Sequence, residues 1–318
     1  MLLHSIRSKR TRSTLLHYNE LFTIHTLVQR NNQTRSTGSL RWISACSIAL
    51  GAIYTSYAWY NQRRATILSP ERFIELQVTS VEPINHNTSL FRLRLPRPIV
   101  AGLPAISCIH VKDDSMQIMR PYTPINQCDE TIDHLDLLVK RYENGTMSKS
   151  VHLLRPGDRI GVRGPFVEFP YSANMKDDIG MIAGGSGITP LYQLMCKILH
   201  DPNDKTRISL VYANITEEDI LLRKEIDELQ RRYPERLRVY YTLERPPAAG
   251  WIGGIGWVNE KILKENLPPP HPRSLILVCG PDGMVHHVAG EKARDLSQGK
   301  LGGILCGLGY MENHVFKF

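Results

Sequence analysis

Three stretches with different patterns of apolar and polar positions follow one another along the chain. Residues 42–60 carry no charged side chain and are mostly apolar. Residues 66–170 contain short runs in which apolar and polar positions alternate, separated by prolines and glycines, which is typical of antiparallel strands. From residue 171, short apolar runs alternate with stretches of helical spacing. The pattern therefore predicts an antiparallel β-barrel domain over 66–170 and an α/β domain with a parallel sheet over 171–318.

The same patterns predict the individual elements of both domains. A capping box at 216–219 is expected to begin one of the helices. In the first domain we expect strands at 73–81, 90–95, 117–122, 135–142 and 159–162, and a helix at 148–154. In the second we expect strands at 179–183, 207–212, 237–243 and 274–279, and helices at 190–199, from the capping box to 230, at 258–265 and at 282–295.

The stretch 179–199 joins a short apolar strand to a glycine-rich turn and a helix. Pro190 suits a first helical position, because its missing N–H would have no partner there. The strand, the turn and the helix together present backbone N–H groups to an anion such as a pyrophosphate, although such turns also occur for packing alone. One core-facing helical stripe is expected from Leu191, Leu194, Met195, Ile198 and Leu199.

Two groups of residues have the chemistry that nucleotide cofactors need. In the first domain, Arg120 offers a fork for phosphate, Tyr122 a ring face and 145–148 a set of N–H donors, a combination that suits a flavin nucleotide. Taken singly, they are also ordinary surface, core and capping residues. In the second domain, Glu244 and Cys279 end predicted strands. Glu244 is suited to accept hydrogen bonds from ribose hydroxyls, or is a solvated loop carboxylate. Cys279 is otherwise a small buried apolar residue.

Residues 1–60 have the composition of a targeting segment followed by a membrane-spanning segment. Residues 1–35 are rich in Arg, Ser and Thr and poor in acid, which is typical of a mitochondrial targeting segment or of a disordered basic tail. A helix over 42–60 would be about 28 Å long, enough to cross a bilayer. Its terminal aromatics, Trp42, Trp59 and Tyr60, suit the membrane interfaces. We expect a targeting segment at 1–41 and a single transmembrane helix at 42–60, with a buried soluble helix as the alternative for the latter.

Charge and cysteine spacing exclude two further classes of protein. The chain has 39 Lys and Arg against 31 Asp and Glu, a net charge of +8. This excess is concentrated in residues 1–65, so the remainder is close to neutral and a role in binding nucleic acid has no support. The six cysteines lie far apart and lack the spacing of a zinc site. No metal site and no disulfide framework is expected.

The motifs, taken in order, resemble those of the NADH–cytochrome b5 reductase family, within the ferredoxin–NADP⁺ reductase superfamily. The resemblance covers about residues 70–318. The fungal mitochondrial members resemble this chain at the N-terminus as well. The matching segments are RPYTP (120–124), VKRY (139–142), GTMS (145–148), RGPF (163–166), GMIAGGSGITP (180–190), ANITEEDILLRKE (213–225), YTLERPP (241–247), CGPDGM (279–284) and VFKF (315–318).

The resemblance implies FAD in the first domain and NADH in the second. It implies that Thr123 lies near the flavin N5, and that Thr123 and Cys279 are the catalytic residues. The residues implied for FAD are Arg120, Pro121, Tyr122, Thr123, Val139, Lys140, Tyr142, Gly145, Thr146, Met147, Ser148 and Thr189. Those implied for the nicotinamide coenzyme are Gly184, Gly185, Ser186, Gly187, Glu244, Cys279, Gly280, Pro281 and Met284.

Two departures accompany the match. Asp282 stands where the family usually has a second proline, and 104–110 lacks the customary Pro-Gly-Gln. The resemblance implies a monomeric flavoprotein oxidoreductase in a membrane, mitochondrial or else in the endoplasmic reticulum, that passes electrons from NADH to a haem protein such as cytochrome b5. The alternatives are an NADH-dependent reductase of a quinone or other small acceptor, and a non-catalytic membrane protein that retains its flavin.

Overall fold

The computed structural model describes residues 67–100, 102–113, 117–126, 130–295 and 297–318. The predicted targeting segment (1–41) and transmembrane helix (42–60) lie outside these ranges. Within them, every helix is too short or too polar to cross a bilayer.

The first sheet has six antiparallel strands in the order β4-β3-β6-β1-β2-β5. One short helix, α1 (Thr146–Val151), follows β5. The interior is apolar and includes Leu76, Phe91 and Val162. We call this part, 67–170, the barrel domain. Its strands are β1 (Ile74–Pro83), β2 (Thr88–Ile99), β3 (Ser107–Asp113), β4 (Ile118–Tyr122), β5 (Ile132–Lys140) and β6 (Arg159–Val167).

The loop after β4 closes the barrel against β5. The N–H of Ile125 donates to the carbonyl of Asp136 at 2.9 Å. The Asn126 side chain accepts from the Asp136 N–H at 2.8 Å and donates to the His134 carbonyl at 3.2 Å. The Asn126 side chain and one backbone hydrogen bond therefore connect the loop after β4 to β5, the strand at the other edge of the sheet. The result is a half-barrel whose two edges are joined by hydrogen bonds.

The second sheet, in what we call the α/β domain (171–318), has six parallel strands in the order β10-β9-β8-β7-β11-β12. Separate apolar clusters cover its two faces. The strands are β7 (Asp178–Gly184), β8 (Arg207–Asn214), β9 (Leu237–Leu243), β10 (Gly254–Ile255), β11 (Ser274–Cys279) and β12 (Val315–Lys317), and the helices are α2 (Ile188–His200), α3 (Arg223–Arg232), α4 (Glu260–Asn266), α5 (Asp282–Ala289) and α6 (Gly303–Gly307).

Helix α2 differs from its prediction in start and in burial. It begins at Ile188, after a 3-10 turn at Gly185–Gly187, so Pro190 is its third residue. All of its residues except Lys197 and His200 are buried. The five residues of the predicted stripe are all in the core, as expected, but burial also extends to the other face of the helix. The reason is that α2 packs between its own sheet and the barrel domain, which buries polar residues of the opposite face as well.

Two other predicted helices are shorter than expected, and three strands were missed. The box at 216–219 caps a 3-10 turn, and α3 starts only after Leu222, whose φ of 56° interrupts the helix. Helix α5 ends at Ala289, before Gly290, whose φ is 78°. Strand β3 escaped the alternation rule because its first three residues are all buried. Strands β10 and β12 were missed because they are only two and three residues long.

Candidate functional site

A cavity of about 690 Å³ has walls from both domains. The barrel domain contributes the end of β4, the end of β5 and the first turn of α1. The α/β domain contributes the turn after β7, the start of α2 and the end of β11. We call it the first cavity. Its lining residues are Cys108, Ile118, Arg120, Pro121, Tyr122, Thr123, Leu138, Lys140, Tyr142, Asn144, Gly145, Thr146, Met147, Ser148, Glu168, Ser186, Gly187, Thr189, Pro190, Cys279, Gly280, Pro281, Asp282 and Phe318.

The barrel side of this cavity suits an anionic ligand. Arg120 is exposed at the end of β4, and its Nη1 donates to the neighbouring Met119 carbonyl at 2.8 Å. The first turn of α1 contains no acidic residue, and its N-cap Gly145 supplies no side-chain bond. The Ser148 hydroxyl accepts from the Tyr142 N–H at 3.1 Å and donates to the Gly145 carbonyl at 3.0 Å. That hydroxyl fixes the loop which brings the helix N-terminus to the cavity.

Two tyrosines form part of the same wall. Burial, the largest cause, raises the pKa of Tyr122 to about 12, so its phenol is neutral at physiological pH. The Tyr142 hydroxyl is 2.8 Å from the Ser186 hydroxyl of the α/β domain. This hydrogen bond joins the two domains beside the glycine-rich turn.

The α/β side of the cavity depends on one close approach of backbone to backbone. A Cβ at Gly187 would lie 2.3 Å from the carbonyl oxygen of Cys279, so only glycine fits there. This contact brings the start of α2, with Thr189, beside the end of β11. Burial, followed by the charge of Glu168, raises the pKa of Cys279 to about 12. Its thiol is therefore protonated, which suits packing against a ring and excludes a standing thiolate.

A second cavity of about 490 Å³ continues from the first over the α/β domain. Lys140, Tyr142 and Pro281 line both cavities. Glu244 lies there just beyond β9, with its N–H donating to the Asn214 carbonyl at 3.0 Å. The lining residues are Lys140, Tyr142, Gly184, Gly185, Ala213, Asn214, Ile215, Glu244, Gly256, Trp257, Val258, Pro281, Gly283, Met284 and His287.

Comparison with known protein families matches both domains. Residues 75–171 match the oxidoreductase FAD-binding domain, and residues 181–290 match the oxidoreductase NAD-binding domain. An NADH-cytochrome b5 reductase 2 of Botryotinia fuckeliana is 46% identical over 252 residues, which are 77% of this chain and 72% of that protein. An NADH-cytochrome b5 reductase-like protein of Arabidopsis thaliana is 42% identical over 274 residues, 84% of this chain and 83% of its own.

Comparison with solved structures supports the same family assignment. The cytochrome b5 reductase domain of Ulva prolifera nitrate reductase superimposes with a TM-score of 0.69 at 31% identity, over 80% of this chain and all of that domain. The chain belongs to the NADH–cytochrome b5 reductase family. It is therefore an oxidoreductase with an FAD-binding and an NAD-binding domain, as predicted. The fold of the human Ncb5or CS-b5R domains is also shared, with a TM-score of 0.63 at 24% identity, over 80% of this chain and 71% of that one.

The first cavity fits FAD as this reductase family requires. Its volume lies within the usual range of cofactor sites, roughly 300–1,000 Å³. Its donors are the exposed Arg120 guanidinium and a helix N-terminus without a competing carboxylate, which is the donor set that a diphosphate needs. Apolar and aromatic groups, including Leu138, Tyr122 and Phe318, line the remainder.

All but one of the residues that the reductase resemblance implied line one of the two cavities. The exception is Val139, whose side chain is 1% exposed in the barrel core and whose carbonyl lies 2.9 Å from Nε2 of His152. Position 139 faces inward because β5 alternates, so its neighbour Lys140 points to the cavities instead. Asp282 both begins α5 and lines the first cavity. The role of each residue in binding stays a prediction.

Sequence reasoning missed several residues that line the cavities. Cys108, Glu168 and Phe318 are 60 or more positions apart from one another, so no local pattern connects them. Asn214 lies inside a quoted motif but was given no role. The missed residues include Cys108, Asn144, Glu168 and Phe318 in the first cavity and Asn214, Ile215, Trp257 and His287 in the second.

Proposed function

We propose that this chain is a membrane-anchored, mitochondrial reductase that takes a hydride from NADH and passes electrons to a haem protein such as cytochrome b5. The observation that carries the proposal is the continuity of the two cavities at Lys140, Tyr142 and Pro281, with Thr123 and Cys279 lining the first. A flavin in the first cavity and a nicotinamide entering from the second would therefore meet. When bound, FAD accepts the hydride and releases electrons one at a time.

The protein residues bind and orient the reactants. Arg120 and the first turn of α1 would hold the FAD diphosphate. Hydride transfer would require the flavin and nicotinamide rings to be held in contact, so the two domains must keep a fixed separation. The buried Gln193 of α2 provides this by accepting from the Ser107 N–H at 3.1 Å and donating to the Pro124 carbonyl at 2.9 Å. Both partners belong to the barrel domain.

The electron acceptor is proposed to dock on exposed cations near the flavin site. Arg141 and Lys149 are exposed beside the first cavity. Lys140 is paired with Asp219, and Arg163 lies between the rings of Phe73 and Phe166, at 5.0 and 5.4 Å from their centroids. Arg141 and Lys149 are thus the pair best placed to steer an acidic haem protein.

Rapid mixing tests the proposal. The purified full-length chain, in detergent, is mixed with NADH and then with cytochrome b5, a quinone or a small inorganic oxidant. We expect bleaching of bound FAD by NADH and fast reduction of the cytochrome. That rate should fall as salt rises and as Arg141 and Lys149 are changed to Glu, while the rate with a small uncharged acceptor stays nearly unchanged. Fast quinone reduction with a salt-insensitive cytochrome rate would favour the small-acceptor alternative. Bound FAD that NADH does not reduce would indicate a non-catalytic flavin protein.

Membrane attachment and oligomeric state are proposed from the N-terminal sequence and the family resemblance. The chain should stay with mitochondrial membranes after alkaline carbonate extraction and should be a monomer by light scattering in detergent. Release into the soluble fraction would contradict the predicted transmembrane helix. An endoplasmic-reticulum pattern by imaging would contradict the mitochondrial address alone.

A further inference from the structure

Asn214, the last residue of β8, is a buried amide that lines the second cavity. It is 9% exposed. Neither its Oδ1 nor its Nδ2 has a hydrogen-bond partner among the described residues. Buried side-chain amides in folded proteins almost always have partners, because losing water without replacement is costly. The geometry of this residue therefore indicates a ligand.

A neighbouring hydroxyl does not satisfy this amide. Burial raises the pKa of Tyr212, and a contact from the Asn214 side chain opposes that rise, although its geometry lies outside that of a regular hydrogen bond. However, the same hydroxyl already donates to the Gly185 carbonyl at 2.9 Å and accepts from the Leu221 N–H at 3.2 Å. Its one O–H is committed to the Gly185 carbonyl and cannot donate to Oδ1 of Asn214, so the amide keeps its acceptor and at least one of its two N–H groups for the cavity.

Asn214 and Glu244 form a pair at adjacent strand ends. Asn214 pairs with Leu243 across β8 and β9, and its carbonyl accepts from the N–H of Glu244. The cavity thus has a carboxylate, which only accepts, next to an amide, which both donates and accepts. A vicinal diol matches this set, because each hydroxyl can donate to one group and accept from another. A phosphate offers acceptors only, and it would be repelled by Glu244.

We propose that Asn214 is a specificity-determining residue that binds, together with Glu244, the adenosine ribose diol of the nicotinamide coenzyme. This inference rests on the proposed function, in which NADH occupies the second cavity. Asn214 supplies the hydrogen-bond donor that the Glu244 carboxylate lacks. The ribose diol in turn supplies the hydrogen-bond partners that the Asn214 amide lacks in the free protein.

The test is a thermodynamic cycle in which the Asn214 side chain and the adenosine 2′-hydroxyl of the coenzyme are removed separately and together. Wild type and Asn214→Leu, a change of similar volume, are titrated with NADH and with its analogue lacking the adenosine 2′-hydroxyl, by stopped-flow bleaching of bound FAD. Asn203→Leu, on the exposed loop after α2, is the matched control. The second readout is the affinity for NAD⁺, from perturbation of the flavin spectrum.

The expected results separate this inference from the function on which it rests. Wild type should bind NADH about 10-fold more tightly than the 2′-deoxy analogue. Asn214→Leu should weaken NADH and NAD⁺ about 10-fold, lose most of that discrimination, and keep its FAD content and its bleaching rate at saturating NADH. Equal affinity of wild type for both coenzymes, or unchanged discrimination in Asn214→Leu, would overturn the inference while leaving the reductase intact. Asn214→Ala replaces the Leu variant if the latter fails to retain FAD. Wild-type FAD that NADH does not bleach would instead overturn the proposed function.

Discussion

Nζ of Lys140 lies 3.1 Å from Oδ1 of Asp219, in an ion pair that joins the barrel domain to the α/β domain. The two side chains are 13% and 4% exposed. Desolvation, the largest single contribution, opposes ionisation of Asp219. The hydrogen bonds from Lys140 and Thr216 nevertheless hold the pKa of Asp219 below its usual value. The carboxylate is therefore charged throughout the physiological range, and it secures Lys140 where the two cavities meet.

Asp219→Ala should lower the free energy of unfolding by about 3–5 kcal/mol, because it leaves the buried ammonium unpaired. It also removes the carboxylate that accepts from the Thr216 N–H at 3.1 Å. Asp219→Asn should cost less, since it keeps an acceptor for that N–H. Urea unfolding of the FAD-bound protein measures both. Glu228→Ala, which removes an exposed ion pair with Arg231, is the control and should cost about 0–1 kcal/mol. Equal losses for Asp219→Ala and Glu228→Ala would contradict the structural importance of the buried pair.

Gln193→Leu should destabilise the contact between the domains. The change leaves the Ser107 N–H and the Pro124 carbonyl without their partner, at about 1–3 kcal/mol for each buried group. We expect a lower melting temperature and slower reduction of FAD by NADH at saturation, since the separation of the rings depends on this contact. Gln230→Leu, on the partly exposed face of α3, is the control. A Gln193→Leu protein with the wild-type melting temperature would show that the bridge adds no stability.

Gly187→Ala should destabilise the α/β domain by about 1–3 kcal/mol, because the added Cβ would meet the Cys279 carbonyl at 2.3 Å and force two backbone segments apart. Gly283→Ala is the matched control. It lies in α5, where a Cβ would meet nothing within 4 Å, and alanine is favoured over glycine in helices by up to about 1 kcal/mol. Thermal unfolding of both variants checks the contrast, which would fail if Gly187→Ala were as stable as Gly283→Ala.

Stability should fall in mild acid because of His314, which precedes β12. The residue is 2% exposed, and its Nε2 has no partner among the described residues. Burial, with smaller effects from Lys176 and His271, lowers the pKa of His314. The unfolded chain takes up this proton at about pH 6.5, whereas the folded chain takes it up only at lower pH. The stability that the neutral ring contributes is therefore complete above about pH 6.5 and is lost progressively as pH falls towards the folded pKa, by at most about 1.4 kcal/mol per pH unit.

Urea unfolding at pH 8, 6.5 and 5.5 measures this dependence. His314→Gln should reduce the loss of unfolding free energy between pH 6.5 and pH 5.5. The exposed His86 provides the control, because His86→Gln should leave the slope as it is in the wild type. An identical slope in the His314→Gln protein would assign the acid sensitivity to other groups.

The sequence predicted those features that local patterns specify. Both sheets were expected, and the bounds of β11 were predicted to the residue. Arg120 lies within β4, two residues before its end, and Glu244 directly follows β9, so both could be predicted to lie near the ligand-binding edges of their sheets. Strand β3 was not predicted because its buried first residues break the alternation. The burial of both faces of α2 was not predictable, since it depends on contact between the domains. The burial of the Asn214 amide was not predictable for a similar reason. A polar residue at a strand end is usually exposed, and its burial here depends on the neighbouring elements of the folded domain.

Because Lys140, Tyr142 and Pro281 line both cavities, a ligand in either one touches the walls of the other. Occupancy of the two sites is then thermodynamically coupled wherever one ligand moves a shared residue. Such coupling is reciprocal: if bound NAD⁺ slows the loss of FAD by tightening its equilibrium binding by some factor, FAD must tighten NAD⁺ by the same factor. The retention of flavin by the purified protein should accordingly depend on the concentration of pyridine nucleotide in the buffer.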